Sequence, residues 1–573
     1  MKNKEIALLF EKMADILEFK GDNPFKINAY RKAGRILNDL TTDIEEVMRS
    51  GKLESIPGIG KGTAEKIVEY LEKGSITKFE QLKQEVSDDL IALLGITSLG
   101  PKTVALLHNE MKVNSLEDLK KALADERTAQ LPGMGKKKIE NILKGIELYT
   151  FSKQRMLLGS ALHTAREAIA YLKKSAQVTA IEAAGSLRRG KETIGDIDIL
   201  AAGKKGKDII DAFVRLPMAS RILAQGDTKG SILTAAGTQL DLRVVEKDSF
   251  GAALQYFTGS KDHNVRLREI AKREGLKINE YGIFSGEKKV GGKREEDIYE
   301  TLHMEWIPPE LREDRGEIEA ALNHTLPHLI TLADLKGDLH VHSAYSDGTS
   351  SLEEIALSAR ERGYCYIAIT DHSQSLKIAQ GLSPAQLKQK IEEIKNLNKK
   401  LSGIRVLTGA EVDIKNDGSL DYPDSLLAQL DLVIGAIHSG FKQRREQITT
   451  RITTAMRNPY LHIIAHPTGR LLGEREPYEV DIDRVIEVAR ETGTALEINA
   501  YTERLDLDDI NCMKAKQKGV RLAIGTDAHH LDQLWMMELG VMVARRGWLE
   551  ASSVLNTLSA EELLTWARSK HES

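Results

Sequence analysis

Cysteine is nearly absent from this chain: Cys365 and Cys512 are the only two in 573 residues. Two isolated thiols cannot build a disulfide framework, so a reducing compartment is expected. Long apolar runs are missing too. None reaches the roughly 18 residues of a membrane span, so no membrane partner is expected. Met1-Lys2-Asn3-Lys4-Glu5 has no apolar h-region, and no secretory signal is expected. A strong basic excess is also lacking, since the net charge is −4. Lys+Arg against Asp+Glu run 24 to 24 in residues 1–150, 28 to 26 in 151–330 and 29 to 35 beyond. Any nucleic-acid contact must therefore come from local patches and backbone amides.

What is present is ordinary for a soluble globular protein, with 41% hydrophobic and 29% charged residues. The length suggests three or more folding units. Residues 1–150 have helical apolar spacing broken by glycine-rich turns. A helix is predicted from about Ser160 to Lys174. Strands are predicted at Thr179–Ala184, Asp196–Ala202, Ser231–Ala235 and Gln239–Val245, and a hairpin near Leu276–Phe284. Beyond Leu335, apolar β-type runs alternate with helical stretches. The runs are Tyr364–Thr370, Arg405–Thr408, Leu432–Ile437, Leu461–Ala465, Thr494–Ile498 and Val520–Ile524. That alternation predicts βα units and a barrel-like parallel sheet.

The segment from Gly185-Ser186-Leu187-Arg188-Arg189 to Gly195-Asp196-Ile197-Asp198 carries the first chemistry. In a strand, Asp196 and Asp198 share a face, and two adjacent carboxylates repel unless a cation lies between them. Such a pair suits divalent-metal phosphoryl transfer, with the Gly-Ser turn and the arginines holding a triphosphate. Leu240-Asp241-Leu242-Arg243 offers a third carboxylate, Asp241, on a neighbouring strand. The order Gly-Ser, Arg-Arg, Asp-x-Asp, Asp-x-Arg marks a nucleotidyltransferase.

Upstream, Ile56-Pro57-Gly58-Ile59-Gly60 and Leu131-Pro132-Gly133-Met134-Gly135 each set a Gly-hydrophobic-Gly turn before a helix. Ile96-Thr97-Ser98-Leu99-Gly100 is a looser third copy. Glycine lets such a turn approach a phosphate, and the helix start offers free N–H groups. These copies resemble helix-hairpin-helix motifs, which grip DNA backbones without reading sequence. One copy alone could be a plain αα-turn; three ahead of a nucleotidyltransferase motif weigh against that.

Nine of the 15 histidines lie beyond residue 335. His340 and His342 follow Asp338, with Asp347 close behind. His372, Glu411, His438, His466, Asp527 and His529 all sit in or after apolar strands. Ligands at the C-terminal ends of barrel strands converge on one mouth. Mixed imidazole and carboxylate suits Zn²⁺ or Mn²⁺ and can activate water against a phosphodiester.

With these motifs in view, the chain resembles the family X DNA polymerases, and more closely the bacterial members with a C-terminal PHP domain. The resemblance implies a multidomain α+β and α/β fold. A helical hairpin-rich N-terminal region would be followed by a polymerase-beta-like nucleotidyltransferase palm and thumb, then a distorted (βα) PHP barrel. The implied domains are 1–85 lyase-like, 86–150 hairpin fingers, 151–250 palm, 251–320 thumb, 321–335 linker and 336–573 PHP. The implied metal ligands are Asp196, Asp198 and Asp241 for Mg²⁺ or Mn²⁺. In the PHP domain they are His340, His342, Asp347, His372, Glu411, His438, His466, Asp527 and His529, for up to three Mn²⁺ or Zn²⁺ ions. Gly185, Ser186, Arg189 and Gly195 would face the nucleotide. Tyr256-Phe257-Thr258-Gly259-Ser260 resembles the sugar-contacting turn, and Asn264 and Arg268 have the spacing of minor-groove contacts. Lys66 follows the first hairpin, where relatives place a lysine that attacks the sugar aldehyde of an abasic site. Gly62 replaces a lysine frequent in eukaryotic relatives.

The expected function is short-gap filling with dNTPs on gapped or nicked DNA in base excision repair. A PHP 3′-5′ exonuclease, with abasic-site incision, would act beside it. A cytoplasmic, nucleoid-associated monomer is expected. Two alternatives are a phosphatase of small phosphate esters tethered to DNA, and a DNA-end scaffold with a vestigial polymerase site.

Overall fold

The computed structural model describes residues 2–39, 44–56, 58–86, 88–93, 96, 99–152, 155–473 and 475–570. Pro57, Thr97 and Ser98 of the hairpin motifs lie outside them. The chain divides into two compact units, Met1–Arg155 with Ala236–Thr238, and Met156–Ala235 with Gln239–Ser573.

The first unit is helical. In α1 (Lys2–Phe19), Ile6, Phe10, Met13 and Leu17 recur at helical spacing and are all buried. The three hairpin motifs share the same backbone hydrogen bonds at their described residues. Ile59 N donates to Ile56 O, Leu99 N to Ile96 O and Met134 N to Leu131 O, each at 3.0 Å. Then Gly60 caps α2 (Lys61–Lys73) and Gly100 caps α3 (Pro101–Met111), while Gly135 precedes α4 (Lys136–Ser152). The carbonyls of these glycines accept the first intrahelical bonds, from Ala64, Val104 and Ile139. Thr63, Thr103 and Lys138 N–H also donate to these carbonyls, and Pro101 has no N–H; the remaining first-turn N–H groups lie outside the intrahelical ladder, where a phosphate can be met. Gly58 and Gly133 have φ of +96° and +75°, which explains glycine at those positions.

The second unit starts with α5 (Leu158–Ser175), packed on a five-stranded sheet. Its strands are β1 (Ala180–Ala183), β2 (Asp196–Ala202), β3 (Ala219–Gln225), β4 (Lys229–Thr234) and β5 (Gln239–Val245), in the order β1-β2-β5-β4-β3. Strands β2 and β5 run parallel, with Asp196 opposite Gln239 and Asp198 opposite Asp241. Ile197, Ile199, Leu240 and Leu242 alternate with them and are buried, so the core fixes the register that brings the carboxylates together. Two expectations need correction. Strand β3 was absent from the predicted pattern, because this edge strand is mostly exposed and Ile222 is 49% accessible. The Gly-Ser turn is the opening of a short helix, α6 (Gly185–Arg188).

Next come α7 (Phe250–Thr258), α8 (Lys261–Arg273) and an antiparallel sheet of β6 (Leu276–Asn279), β7 (Gly282–Ser285) and β8 (Lys288–Gly291). The expected hairpin thus has a third strand. Leu267, Ile283, Tyr299 and Leu302 form the core beneath it.

The rest is a seven-stranded parallel barrel in sequence order: β9 (Gly337–Val341), β10 (Tyr366–Ile369), β11 (Arg405–Asp413), β12 (Leu432–Ala436), β13 (Ile463–Ile464), β14 (Ala495–Asn499) and β15 (Leu522–Gly525). It closes through a bridge between Val341 and Ala528, with Asp527 N donating to His340 O at 2.8 Å and His342 N to Ala528 O at 2.9 Å. Helix α9 (Pro384–Asn398) lies against β11. Helices α10 (Asp509–Gln517) and α11 (Met537–Arg546) lie along the last strands. Half-buried ion pairs join the barrel to the preceding part of the same unit, including Arg470 to Glu192 at 2.5 Å and Arg315 to Asp509 at 2.9 Å. Arg166 also pairs with Glu538. Among the described residues, no helix is long and apolar enough to cross a membrane.

Candidate active sites

The first site lies where β2 and β5 run side by side. Asp196, Asp198 and Asp241 bring one carboxylate oxygen each to within 4.8 Å of the others. Burial, then repulsion from Asp196 and Asp241, pushes the Asp198 carboxyl up to about 7. Gln239 Nε2 donates to Asp241 Oδ2 at 3.0 Å, while Asp241 Oδ1 is buried with no hydrogen-bond partner. Crowded carboxylates with an orphaned buried oxygen are what a divalent cation relieves, so the donor set fits one. A cavity of about 110 Å³ opens here, bounded by Asp198, Asp241, Lys229, Arg243 and Phe257.

Gly185 has φ +60°, and a Cβ there would lie 2.2 Å from Asp198 Oδ2, so only glycine fits. The two arginines of the motif divide their work. Arg188 forks onto Glu295 at 2.7 and 2.9 Å, and Glu295 also accepts from Arg312 and Trp306 Nε1. Burial opposes the Glu295 charge, but Arg312 and Arg188 outweigh it and hold the carboxyl at about 2. Arg189 Nε donates to Glu313 Oε1 at 3.0 Å, and its Nη1 donates to Thr258 O at 2.5 Å. The turn at residues 256–260 therefore leans on Arg189. Tyr256 and Phe257 meet edge to face at 5.1 Å, and Arg243 stacks on Phe257 at 4.8 Å. Asn264 Nδ2 donates to Tyr256 O and its Oδ1 accepts from Gln255, both at 2.7 Å, so Asn264 braces the turn. Ser186 is half-buried, while Gly195 and Arg268 are exposed. In the first unit, Lys66 Nζ donates to Gly62 O at 3.0 Å and stands 5.7 Å from the Tyr30 ring centre.

The second site fills the barrel mouth. Three groups of donors form: His342, Asp347, His372 and His529; His340, His342 and Asp527; and His372, Glu411 and His438. His466 joins through Nε2, 2.9 Å from Glu411 Oε1. All nine expected ligands are thus gathered, and carboxylates fix the imidazoles. His340 Nδ1 faces Glu497 Oε1 at 2.6 Å and His438 Nδ1 faces Asp413 Oδ1 at 2.6 Å. A carboxylate can only accept, so each Nδ1 holds the proton and Nε2 points inward. The His529 Nδ1 donates to Asp527 O at 2.8 Å, with the same result.

Burial disfavours a charged His340, yet Glu497, Asp527 and Glu411 raise it well above its usual range. Burial also opposes His372 and His438, but Glu411 with Asp347 lifts the first to about 10, and Glu411 with Asp413 lifts the second to about 8. Burial and the neighbouring His372 push His342 down to about 4. Glu411 Oε2 and His342 Nδ1 are buried without hydrogen-bond partners. The donor set fits several divalent ions of the Mn²⁺ or Zn²⁺ type.

Sequence reasoning missed the supporting residues. Glu497 and Asn499 are polar in a wholly buried strand, a signal that could have been read. Lys390 occupies an apolar position of α9 and donates to Asp371 Oδ2 at 2.9 Å. Asp371 in turn accepts from Ser343 and Ser346, holding the loop that carries His342 and Asp347.

Comparison with known proteins finds matches along both units. Residues 1–76 match a helix-hairpin-helix domain and 90–147 a SAM-like helix-hairpin-helix tandem. Residues 253–313 match the DNA polymerase beta thumb and 338–501 the PHP domain. A probable phosphatase of Thermoanaerobacter sp. is 32% identical over 231 residues, covering 38% of this chain and 89% of its own. DNA polymerase lambda of Arabidopsis thaliana is 25% identical over 345 residues, 54% of this chain and 62% of its own. The DNA polymerase/3'-5' exonuclease PolX of Bacillus subtilis is 42% identical over 568 residues, 98% of this chain and 99% of its own. On that full-length match the chain belongs to the bacterial PolX family, the family X DNA polymerases that carry a PHP domain.

Proposed function

We propose that the chain fills short gaps in DNA with dNTPs and trims 3′ ends with its barrel, as a cytoplasmic, nucleoid-associated repair enzyme. The observation that carries this reading is a pair of separate ligand clusters in one compact unit, three carboxylates on a sheet and nine ligands in a barrel mouth.

At the polymerase site Asp196, Asp198 and Asp241 would hold Mg²⁺ or Mn²⁺. When bound, the ions supply the positive charge that polarises the triphosphate and the primer hydroxyl. Gln239 aims Asp241. Arg188 is consumed by Glu295, which leaves Arg189, Gly185, Ser186 and Gly195 to face the triphosphate. Tyr256, Phe257 and Gly259 wall the sugar, with Asn264 behind them and Arg268 on the exposed face toward DNA. The hairpin glycines Gly58, Gly60, Gly100, Gly133 and Gly135 present backbone N–H groups to phosphates, a grip that reads no sequence. Lys66, next to this face, is read as a DNA-facing lysine and a candidate for Schiff-base chemistry at abasic sites.

At the barrel, His340, His342, Asp347, His372, Glu411, His438, His466, Asp527 and His529 would hold Mn²⁺ or Zn²⁺. The ions supply a Lewis acid and an activated water. Glu497 and Asp413 keep His340 and His438 in the ligating tautomer. The six domains set out from the sequence are proposed as the working division. The phosphatase relatives cover only the barrel, which leaves hairpins and palm without a role in a small-ester phosphatase.

The test is purified protein on a one-nucleotide-gapped duplex with Mn²⁺, with and without dNTPs. Asp196→Ala/Asp198→Ala is expected to lose extension only, and His340→Ala/His342→Ala to lose 3′-end degradation only. Degradation that survives the histidine changes would overturn the barrel assignment.

A further inference from the structure

The palm loop after α6 is held by the barrel domain. Arg546, the last residue of α11, is 2% accessible at its side chain. Its Nη1 donates to Arg189 O at 2.7 Å and to Glu313 Oε1 at 2.9 Å, and its Nη2 donates to Asp509 Oδ2 at 2.6 Å. Asp509, the first residue of α10, also accepts from Arg315 Nη1 at 2.9 Å. Glu313 takes Arg189 Nε and Arg546 on the same oxygen, with Lys191 Nζ 3.5 Å away. The loop backbone is pressed onto α11: a Cβ on Gly190 would lie 3.2 Å from Met542 Cε.

In this cluster four cations, Arg189, Lys191, Arg315 and Arg546, surround two carboxylates, Glu313 and Asp509. Arg189 is the member that also touches the sugar-contacting turn, through Thr258 O. Arg546 matters here because it shares the Glu313 carboxylate. With Arg546 present, the Glu313 charge is divided among several cations, and Arg189 retains attraction for an incoming phosphate. With Arg546 gone, Glu313 binds Arg189 more tightly, and the Arg189 carbonyl loses its donor in a dry interface.

We propose that Arg546 of the PHP domain is a positioning residue of the polymerase, which sets Arg189 and its loop for the triphosphate of the incoming dNTP. The barrel domain thereby forms part of the polymerase's nucleotide site as well as its own. This rests on the reading of Arg189 as a triphosphate contact.

The experiment uses the full-length protein and gapped DNA, with single-turnover extension measured over a range of dNTP concentrations and 3′-end degradation measured in parallel. Arg546→Met, which keeps volume and removes charge, is expected to raise the KM for dNTP about tenfold. The maximal extension rate should change less than about threefold, and degradation less than about twofold. Arg546→Lys should recover part of the KM. Arg189→Met should raise KM by itself, and Arg189→Met/Arg546→Met should be no worse than Arg189→Met, because the two act through one contact. An unchanged KM in a folded Arg546→Met protein overturns the proposal, as does an equal fall in extension and degradation or an additive double variant. If Arg189→Met leaves KM unchanged, the triphosphate reading itself fails. Should Arg546→Met melt out, Arg546→Lys and its combination with Arg189→Met carry the same comparison, and additivity there is equally fatal.

Discussion

Asp198→Asn should make the metal-free protein more stable, and more so at alkaline pH. The Asp198 carboxyl is pushed up to about 7 from 3.8 by burial and by two neighbouring carboxylates. A carboxyl with a higher folded than unfolded value binds more protons in the folded chain, so stability falls as pH rises from about 4 to about 7 and stays low above. The shift of about 3 units corresponds to a ceiling of about 4 kcal/mol at about 1.4 kcal/mol per unit. Partial solvent access brings the expected loss to about 2 kcal/mol. At pH 5 most of the penalty is absent, because the folded carboxyl is still protonated. The assay is thermal melting with excess chelator at pH 5 and pH 8, for parent and variant. The asparagine amide cannot ionise, so the variant should melt higher at pH 8, with the gap closing toward pH 5. Added Mg²⁺ should stabilise the parent at pH 8 and the variant far less, while extension is lost. A gap that is independent of pH, or a variant that melts lower at pH 8, would refute the argument that repulsion at this site opposes folding.

Gly185→Ala should reduce gap filling by at least about 100-fold, because its Cβ meets Asp198 Oδ2 at 2.2 Å, and should leave 3′-end degradation intact. Glu497→Gln removes the carboxylate on His340 Nδ1; degradation measured against Mn²⁺ concentration should need about 10–100-fold more metal, with extension unaffected. Lys390→Met strands the buried Asp371 charge and should destabilise the barrel by about 3–5 kcal/mol in thermal melts, and Asp371→Asn in the same chain should recover part of that.

The clustered carboxylates were legible because strand alternation is a local rule: Asp196 and Asp198 are two apart in an apolar run. Asp241 was legible because it repeats the pattern, although its register opposite Asp198 is set by a five-strand sheet that no single segment encodes. The histidines and carboxylates of the barrel mouth could be read for a similar reason, since they sit in or just after six of its apolar strands. Strand β3 was not legible, since an exposed edge strand needs no apolar face. Glu497, Lys390 and Arg546 were missed for another reason. Their partners are His340, 157 positions away, Asp371 on another element, and Arg189, 357 positions away. A charged side chain whose partner comes from a distant part of the chain leaves no spacing to detect.

The ion pairs that tie the barrel to the preceding part of its unit have a consequence for traffic between the two sites. Arg470 with Glu192, Arg315 with Asp509 and Arg546 with Glu313 are short and largely shielded, and Arg546 also donates to the Arg189 carbonyl. Swinging one domain away from the other would expose all of them at once. A primer end that alternates between synthesis and trimming would then cross between two sites held at a fixed separation, by sliding or dissociating. The choice between adding and removing a nucleotide then becomes a race between dNTP capture and departure of the strand.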